Sequence, residues 1–266
     1  MNARFTARER RRGHATVVAV WAGINDDSRD MSVAAVAVRP IPLPRRILAE
    51  FVGTAFLVAA VIGSGIAAAR LSPHDVGLQL FENAAATAAA LVWLILTLGP
   101  VSGAHLNPVV TLADWLFGGG SGRDAAAYCG AQVAGGAAGA ALANVMFSLP
   151  VVELSHTHRS GGDLWLAEVV ATFGLLLVIF GLMRSGRPSF VAFAVAAYIG
   201  GAYFFTSSTS FANPAVTLAR TLSDTFAGIA PSSVPAFVGA QLVGAALAFV
   251  TVKVLYPAPT LEGVGA

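Results

Sequence analysis

The chain has 266 residues, 56% of them hydrophobic and only 11% charged, with a mean hydropathy of +0.72. A water-facing surface takes about a quarter charged residues, so this composition excludes an ordinary soluble domain and points to lipid as the solvent. The net charge is only +2, and the arginines sit in an N-terminal tail and short loops rather than in a stripe, which does not argue for a nucleic-acid partner.

Residues 1–44 differ in character from the rest of the chain. Arg4, Arg8, Arg10, Arg11 and Arg12 cluster at the start, and Pro40, Pro42 and Pro44 close the segment. The apolar stretch 15–24 is too short to cross a bilayer and lacks a signal-peptide cleavage pattern. The segment reads as a mobile cytoplasmic tail, with Met31 as an alternative initiator. Six apolar runs come after it, at 46–69, 78–100, 125–147, 163–183, 189–206 and 233–255. Each is near the roughly 20 residues that span a bilayer as a helix. Helices are expected because lipid offers no partner to an open sheet edge. Gly135 with Gly139, Ala240 with Gly244, and the pair Gly200-Gly201 are small residues suited to close helix packing in lipid. Cys129, the one cysteine, cannot form an intramolecular disulfide and reads as packing.

Basic residues suggest an orientation. With the N-terminus cytoplasmic, that side carries the tail arginines, Arg45, Arg46, Arg123, Arg184, Arg187 and Lys253, against Arg70, Arg159 and Arg220 opposite. This asymmetry fits the positive-inside rule.

The two halves repeat. Ala49-Glu50-Phe51-Val52-Gly53-Thr54 matches Ala167-Glu168-Val169-Val170-Ala171-Thr172. Asn107-Pro108-Val109-Val110-Thr111-Leu112-Ala113 matches Asn213-Pro214-Ala215-Val216-Thr217-Leu218-Ala219. Gly130-Ala131-Gln132 matches Gly239-Ala240-Gln241. The motifs recur in the same order at similar spacing. Three spans per repeat send the second half into the membrane from the opposite face, and sites then form at the midplane between halves. The domains are expected as a tail (1–44), a first repeat (45–155), a second inverted repeat (156–256) and a C-terminal tail (257–266).

Both Asn-Pro motifs come after a span and lie in segments too short and polar to be spans themselves. Proline suits the first helical turn, and the preceding asparagine suits the cap. Asn107 and Asn213 should each open a half-helix at membrane depth, where irregular backbone is tolerated only if buried or lining a water-filled path.

With these residues the chain resembles the aquaporin/aquaglyceroporin, or major intrinsic protein, family. The resemblance rests on Ser102-Gly103-Ala104-His105-Leu106-Asn107-Pro108-Val109, Phe211-Ala212-Asn213-Pro214-Ala215, the Ala-Glu-Phe-Val-Gly-Thr segment and both Gly-Ala-Gln segments, over about residues 45–256. It implies an all-α membrane protein of six transmembrane helices and two re-entrant half-helices in an inverted repeat, assembled as a homotetramer in the cell inner membrane with both termini cytoplasmic. It implies a passive channel for small uncharged solutes, with no cofactor or metal. By resemblance, Glu50 and Glu168 hold the re-entrant loops through backbone N–H groups, and the Asn107 and Asn213 amides donate to a passing oxygen.

The chain departs from the family's pattern at several positions. Val109 replaces the usual alanine of the first signature, and Val216 stands where water-selective members carry arginine. Counting from the asparagines assigns the remaining constriction positions to Thr87, Gly201 and Ser210. Thr87, Gly201, Ser210 and Val216 would form a wide filter with no fixed cation and no bulky ring. This pattern is similar to bacterial aquaglyceroporin-like channels linked to arsenic resistance, which implies glycerol-like polyols, metalloid hydroxides such as arsenite, and water as solutes. Arg220 lies one helical turn past Val216. It either supplies charge at the outer vestibule or snorkels to the interface, the commoner arrangement. His105 either faces the cytoplasmic vestibule or packs as a satisfied loop histidine. Gln132 and Gln241 read as interhelical hydrogen-bonding residues.

Two other functions compete. An ion-coupled secondary transporter would need paired intramembrane charges, and Glu50 and Glu168 have no basic partner within the spans. A structural membrane protein is compatible with the same fold. An enzyme is disfavoured, since the sequence holds no Ser/His pair, His/Glu metal cluster or phosphate-binding glycine loop in a strand–helix context.

Overall fold

The computed structural model describes residues 17–19, 35–37 and 40–256. The expected mobile tail therefore falls largely outside the described residues. Within it, Val17–Ala19 and Ala35–Ala37 form a two-stranded antiparallel pair, β1 and β2, with Val18 opposite Val36. This short pair belongs to a unit, 1–42, separate from the helical body.

The helical body begins at Leu43, two residues before the expected boundary. Its helices are α1 (Leu43–Leu71), α2 (Val76–Ser102), α3 (Pro108–Leu116), α4 (Gly122–Met146), α5 (Gly162–Arg184), α6 (Val191–Phe205), α7 (Pro214–Ala219) and α8 (Val234–Leu255). Six are long, and each overlaps one of the apolar runs. α3 and α7 are the half-helices opened by the Asn-Pro motifs. Five of the long helices are long and apolar enough to cross a membrane. α4 falls short in apolarity because alanine and glycine dominate it. Large apolar side chains such as Phe56, Trp93, Leu142, Phe205 and Val250 are exposed on the outside of the bundle, as a lipid-facing surface requires.

The chain crosses six times, so α1, α4 and α6 begin on one face and α2, α5 and α8 on the other. α3 and α7 start at mid-depth and run back toward the face at which their preceding helix ended. Local chemistry fixes each end. Asp75 caps α2 by accepting from the Leu78 N–H at 2.9 Å, and Ser121 caps α4 by accepting from Asp124 N–H at 3.1 Å. α2 continues through Pro100 and stops at Gly103, whose φ of 88° ends the helix in the left-handed region that glycine tolerates.

Small residues set the spacing within each repeat. α1 packs on α4 and α5 on α8, the equivalent pairs. A Cβ on Gly135 would collide with the carbonyl oxygen of Phe51, and one on Gly139 with that of Ala55. A Cβ on Gly244 would collide with the carbonyl oxygen of Val169 in the second repeat. Gly200, by contrast, leaves room for ordinary contact with Ala88, and Gly201 is exposed. Gly135→Val should therefore lower the melting temperature of the detergent-solubilised protein by the equivalent of about 1–3 kcal/mol, because a backbone carbonyl has no rotamer with which to yield. Gly201→Val should leave it nearly unchanged.

On the face where α2 begins, the 147–161 loop is tied to the loop after α7. Ser155 N–H donates to Thr221 O at 2.9 Å and Ala230 N–H to Thr157 O at 2.7 Å. Asp224 receives the His156 N–H at 3.0 Å, the His156 ring at 3.0 Å and the Ser155 hydroxyl at 3.2 Å. The His156 backbone N–H, and then its ring, hold the Asp224 carboxyl below the usual carboxylate range. A carboxylate with a depressed folded pKa contributes its stability above its unfolded value, near pH 4, and loses it as pH falls through the folded value. Amide exchange at His156 should thus accelerate only below about pH 4. In Asp224→Asn it should be fast and independent of pH across that window, once intrinsic exchange is corrected for.

Candidate functional site

The site is built from the two loops that lead into α3 and α7. Asn107 and Asn213 have extended backbones and cap their half-helices. Asn107 Oδ1 accepts from Val109 N–H at 3.0 Å, and Asn213 Oδ1 from Ala215 and Val216 N–H at 3.0 and 3.3 Å. Pro108 and Pro214 take the first helical turn, where no N–H is needed. With Oδ1 so engaged, each amide must aim its NH2 outward. Asn107 Nδ2 donates to Ala212 O and Asn213 Nδ2 to Leu106 O, both at 2.8 Å. The half-helices therefore meet N-terminus to N-terminus, cross-braced through the opposite loop. An asparagine amide carries two N–H donors, so one per asparagine stays available beside the cavity.

The loops are strained in the same way. Ala104 and Leu106, three and one residues before Asn107, have φ of 48° and 50°. Ser210 and Ala212, at the same offsets before Asn213, have φ of 53° and 46°. Non-glycine residues pay for this conformation and keep it only where the surroundings enforce it. The enforcing groups are the two buried carboxylates. Glu50, fully buried in α1, accepts from Leu106 N–H at 2.7 Å, His105 N–H at 3.0 Å, Ser102 Oγ at 2.6 Å and Gln132 Nε2 at 2.8 Å. Glu168, fully buried in α5, accepts from Phe211 and Ala212 N–H at 2.9 Å each and from Gln241 Nε2 at 2.7 Å. Gln132 and Gln241 also donate to Thr111 and Thr217 of the half-helices, so each glutamine ties a carboxylate to the helix it positions.

A cavity of about 640 Å³ runs past both asparagines. On the face where α1 begins it is lined by Arg46, Asp124 and Arg184, and beyond the midplane by Thr87, Tyr203 and Val216. Neither Glu50 nor Glu168 is part of its wall. His105 is, at the α1-side mouth, where its Nδ1 lies 3.1 Å from Thr111 Oγ1 and its ring stands edge-on to Tyr128.

Of the positions assigned to the filter, Thr87, Ser210 and Val216 line the cavity. Gly201 does not. It is exposed on the far side of α6, and Tyr203, two residues on, faces the cavity instead. The Tyr203 hydroxyl lies 3.1 Å from Thr87 Oγ1 across the α2–α6 interface, so a bulky ring occupies the place where none was expected. Val109 is buried at 1% exposure and packs behind the half-helix rather than along the path. Ala215 and Pro214 likewise pack in the interior. Arg220 does not snorkel. It is 3% exposed, lies over the Phe211 ring at 3.4 Å, donates through Nε to Ala227 O, and lines the cavity. Tyr203 carried a usable sequence signal, since a tyrosine in an otherwise apolar helix needs a partner for its hydroxyl. His156 and His158 pair with Asp224 and Ser232, and no metal-binding cluster occurs among the described residues.

Two inverted three-helix repeats, joined at mid-depth by a pair of capped half-helices beside one cavity, define a membrane channel protein. The chain belongs to the major intrinsic protein family: the family's model matches residues 37–207. It is 51% identical over 217 residues to the aquaglyceroporin AqpS of Rhizobium meliloti, covering 81% of this chain and 92% of that protein. It is 32% identical over 212 residues to a probable aquaporin, AqpM, of Archaeoglobus fulgidus, covering 70% and 86%. A glycerol uptake facilitator protein of Pseudomonas aeruginosa is 34% identical over 163 residues, covering 53% and 57%. The fold matches the crystal structure of the aquaglyceroporin from Plasmodium falciparum with a TM-score of 0.63 at 20% identity, covering 81% and 98%. The family's members are channels, not enzymes.

Proposed function

We propose that the chain is a passive channel for small uncharged solutes that present acceptor oxygens: glycerol-like polyols, water, and neutral metalloid hydroxides such as arsenous acid. The observation that carries this reading is the 640 Å³ cavity running past both asparagines. Half-helix N-termini each bear roughly half a positive charge, and two of them aimed at the midplane disfavour cations. The second N–H of each asparagine amide is left to donate to a passing oxygen, and the apolar Val110, Leu57 and Val61 of the same wall offer it no competing partner. The names of the relatives, two of which refer to glycerol, support a polyol as one solute.

The finer selectivity rests on Thr87, Tyr203, Ser210 and Val216. Valine at 216 leaves the constriction without a guanidinium projecting from that position, and we read it as wide enough for solutes larger than water. Val216→Arg should lower glycerol, urea and arsenite permeability of proteoliposomes several-fold while changing that of water much less, measured by stopped-flow light scattering. Unchanged permeability ratios would count against this filter assignment. Passive flux is favoured over ion coupling because both buried carboxylates are saturated by backbone and amide donors and stand off the cavity wall, unsuited to relay protons. Orientation with cytoplasmic termini is supported by the basic side chains. Arg45, Arg123, Arg187 and Lys253 are exposed on the α1-side face, whereas opposite them only Arg70 is exposed, Arg220 being buried and Arg159 partly so. An inner-membrane homotetramer is the assembly that the family implies.

A further inference from the structure

Arg220 borders two cavities. One is the main cavity; the other, of about 210 Å³, is lined by Val76, Asn83, Arg159, Thr209, Arg220 and Phe226 on the face where α2 begins. The side chain thus lies between the main cavity and the smaller one, a position called the neck below. Three further features converge there. The terminal nitrogens of Arg220 donate to no group among the described residues, only Nε being engaged. Arg159 places a second guanidinium 5.2 Å from the same Phe211 ring, and its Nε donates to Gly228 O at 2.9 Å. Ser210 is 5% exposed, lines the main cavity, and has a buried Oγ with no hydrogen-bond partner. Neither arginine forms a salt bridge among the described residues. Burying a charge without a countercharge is costly, and an ionisable side chain at such depth marks a solute path.

We infer that Arg220 supplies the neck with the cation that position 216 lacks, its free N–H groups and the Ser210 hydroxyl together engaging oxygen-bearing neutral solutes while Arg220 and Arg159 bar cations. This inference rests on the passive-channel reading above and names the residues that select within it. A guanidinium reaching in from one turn further along the half-helix leaves the wall beside Val216 apolar. The neck is then wider than one with arginine at 216, yet still positively charged. Phe211 holds the planar group by its face, and Ala227 O holds Nε, so the fork cannot swing away without losing both contacts.

The test uses proteoliposomes of the full chain, with trapped pH- and potassium-sensitive dyes for cation leak and light scattering for water and glycerol. Arg220→Val is expected to raise potassium or proton leak about tenfold or more, the equivalent of about 1.4 kcal/mol of lost barrier. Arg220→Lys is expected to keep the leak at the wild-type level. The exchange Val216→Arg with Arg220→Val is expected to restore cation exclusion and to lower glycerol flux relative to water. Ser210→Ala breaks no contact within the protein, so it should fold, and it is expected to lower glycerol permeability several-fold relative to water. The inference is overturned if wild type conducts while Arg220→Val reduces all fluxes in proportion with no added leak, or if Ser210→Ala leaves the glycerol-to-water ratio unchanged. A wild-type protein that passes no neutral solute would instead sink the channel reading itself.

Discussion

Glu50→Gln and Glu168→Gln should each abolish solute flux and lower thermal stability by about 2–5 kcal/mol, more than any substitution on the cavity wall. Each carboxylate accepts bonds from two consecutive backbone N–H groups and from a glutamine amide, with no exposure to solvent. A glutamine in its place has one oxygen and one NH2. That NH2 must face donors already present, so at least one buried N–H is left unsatisfied beside a repelling group. The loop those donors hold contains two left-handed non-glycine residues before Asn107 and three before Asn213, each storing about 1–3 kcal/mol of strain. Without the acceptor the loop relaxes, the half-helix tilts and the path closes. Glu50→Gln should be the more severe, because it also loses the bond from Ser102 Oγ. Reconstituted flux per channel and detergent melting temperature check both. Flux within twofold of wild type in either variant would show that the loops are held by something other than the carboxylates.

Asn107→Ala and Asn213→Ala are expected to cost about 2–3 kcal/mol each, and the double variant less than the sum. Each asparagine contributes a cap, typically worth about 1 kcal/mol, and a buried bond to the opposite loop. Removing Asn213 strands the Leu106 carbonyl, and removing Asn107 strands that of Ala212. Both braces close the same pair of loops, so the second loss comes after the first has already loosened the joint. Asn213→Asp separates the two roles. It keeps the capping oxygen but sets a second acceptor against Leu106 O, so the half-helix should survive while flux falls sharply. Strict additivity in the thermal cycle would mean that the two braces act independently.

The spans and the repeat are legible because lipid imposes a simple rule on composition, and because duplicated motifs in matching order are hard to mistake. The capped half-helices emerge from the same symmetry, and the roles of Glu50 and Glu168 from their matching places in the two repeats. The rotational setting of α6 is not legible. Its sequence is apolar apart from Tyr198 and Tyr203, whose hydroxyls bond to different neighbouring helices, so polarity alone does not single out the face toward the path, and the count back from Asn213 crosses a loop of left-handed residues. That count puts Gly201 at the constriction, where Tyr203 stands. Arg220 is hidden for a different reason. Whether a long basic side chain snorkels or turns inward depends on what covers it, here Phe211 and the Ala227 carbonyl, and that cover comes from loops whose path no periodicity reveals. Val109 is hard to place because half-helix positions toward the path and toward the bundle carry the same kinds of side chain.

The reciprocal bonds between Asn107 and the Ala212 carbonyl, and between Asn213 and the Leu106 carbonyl, bear on how the molecule is made. Glu50, Gln132 and the loop they hold all belong to the first half, so a nascent chain can shape that loop before the rest is translated. The last bond it needs is 105 residues further along. Biogenesis should therefore yield a clamped but unsealed first half that waits in the bilayer, and the conduit comes into being only when the second half docks.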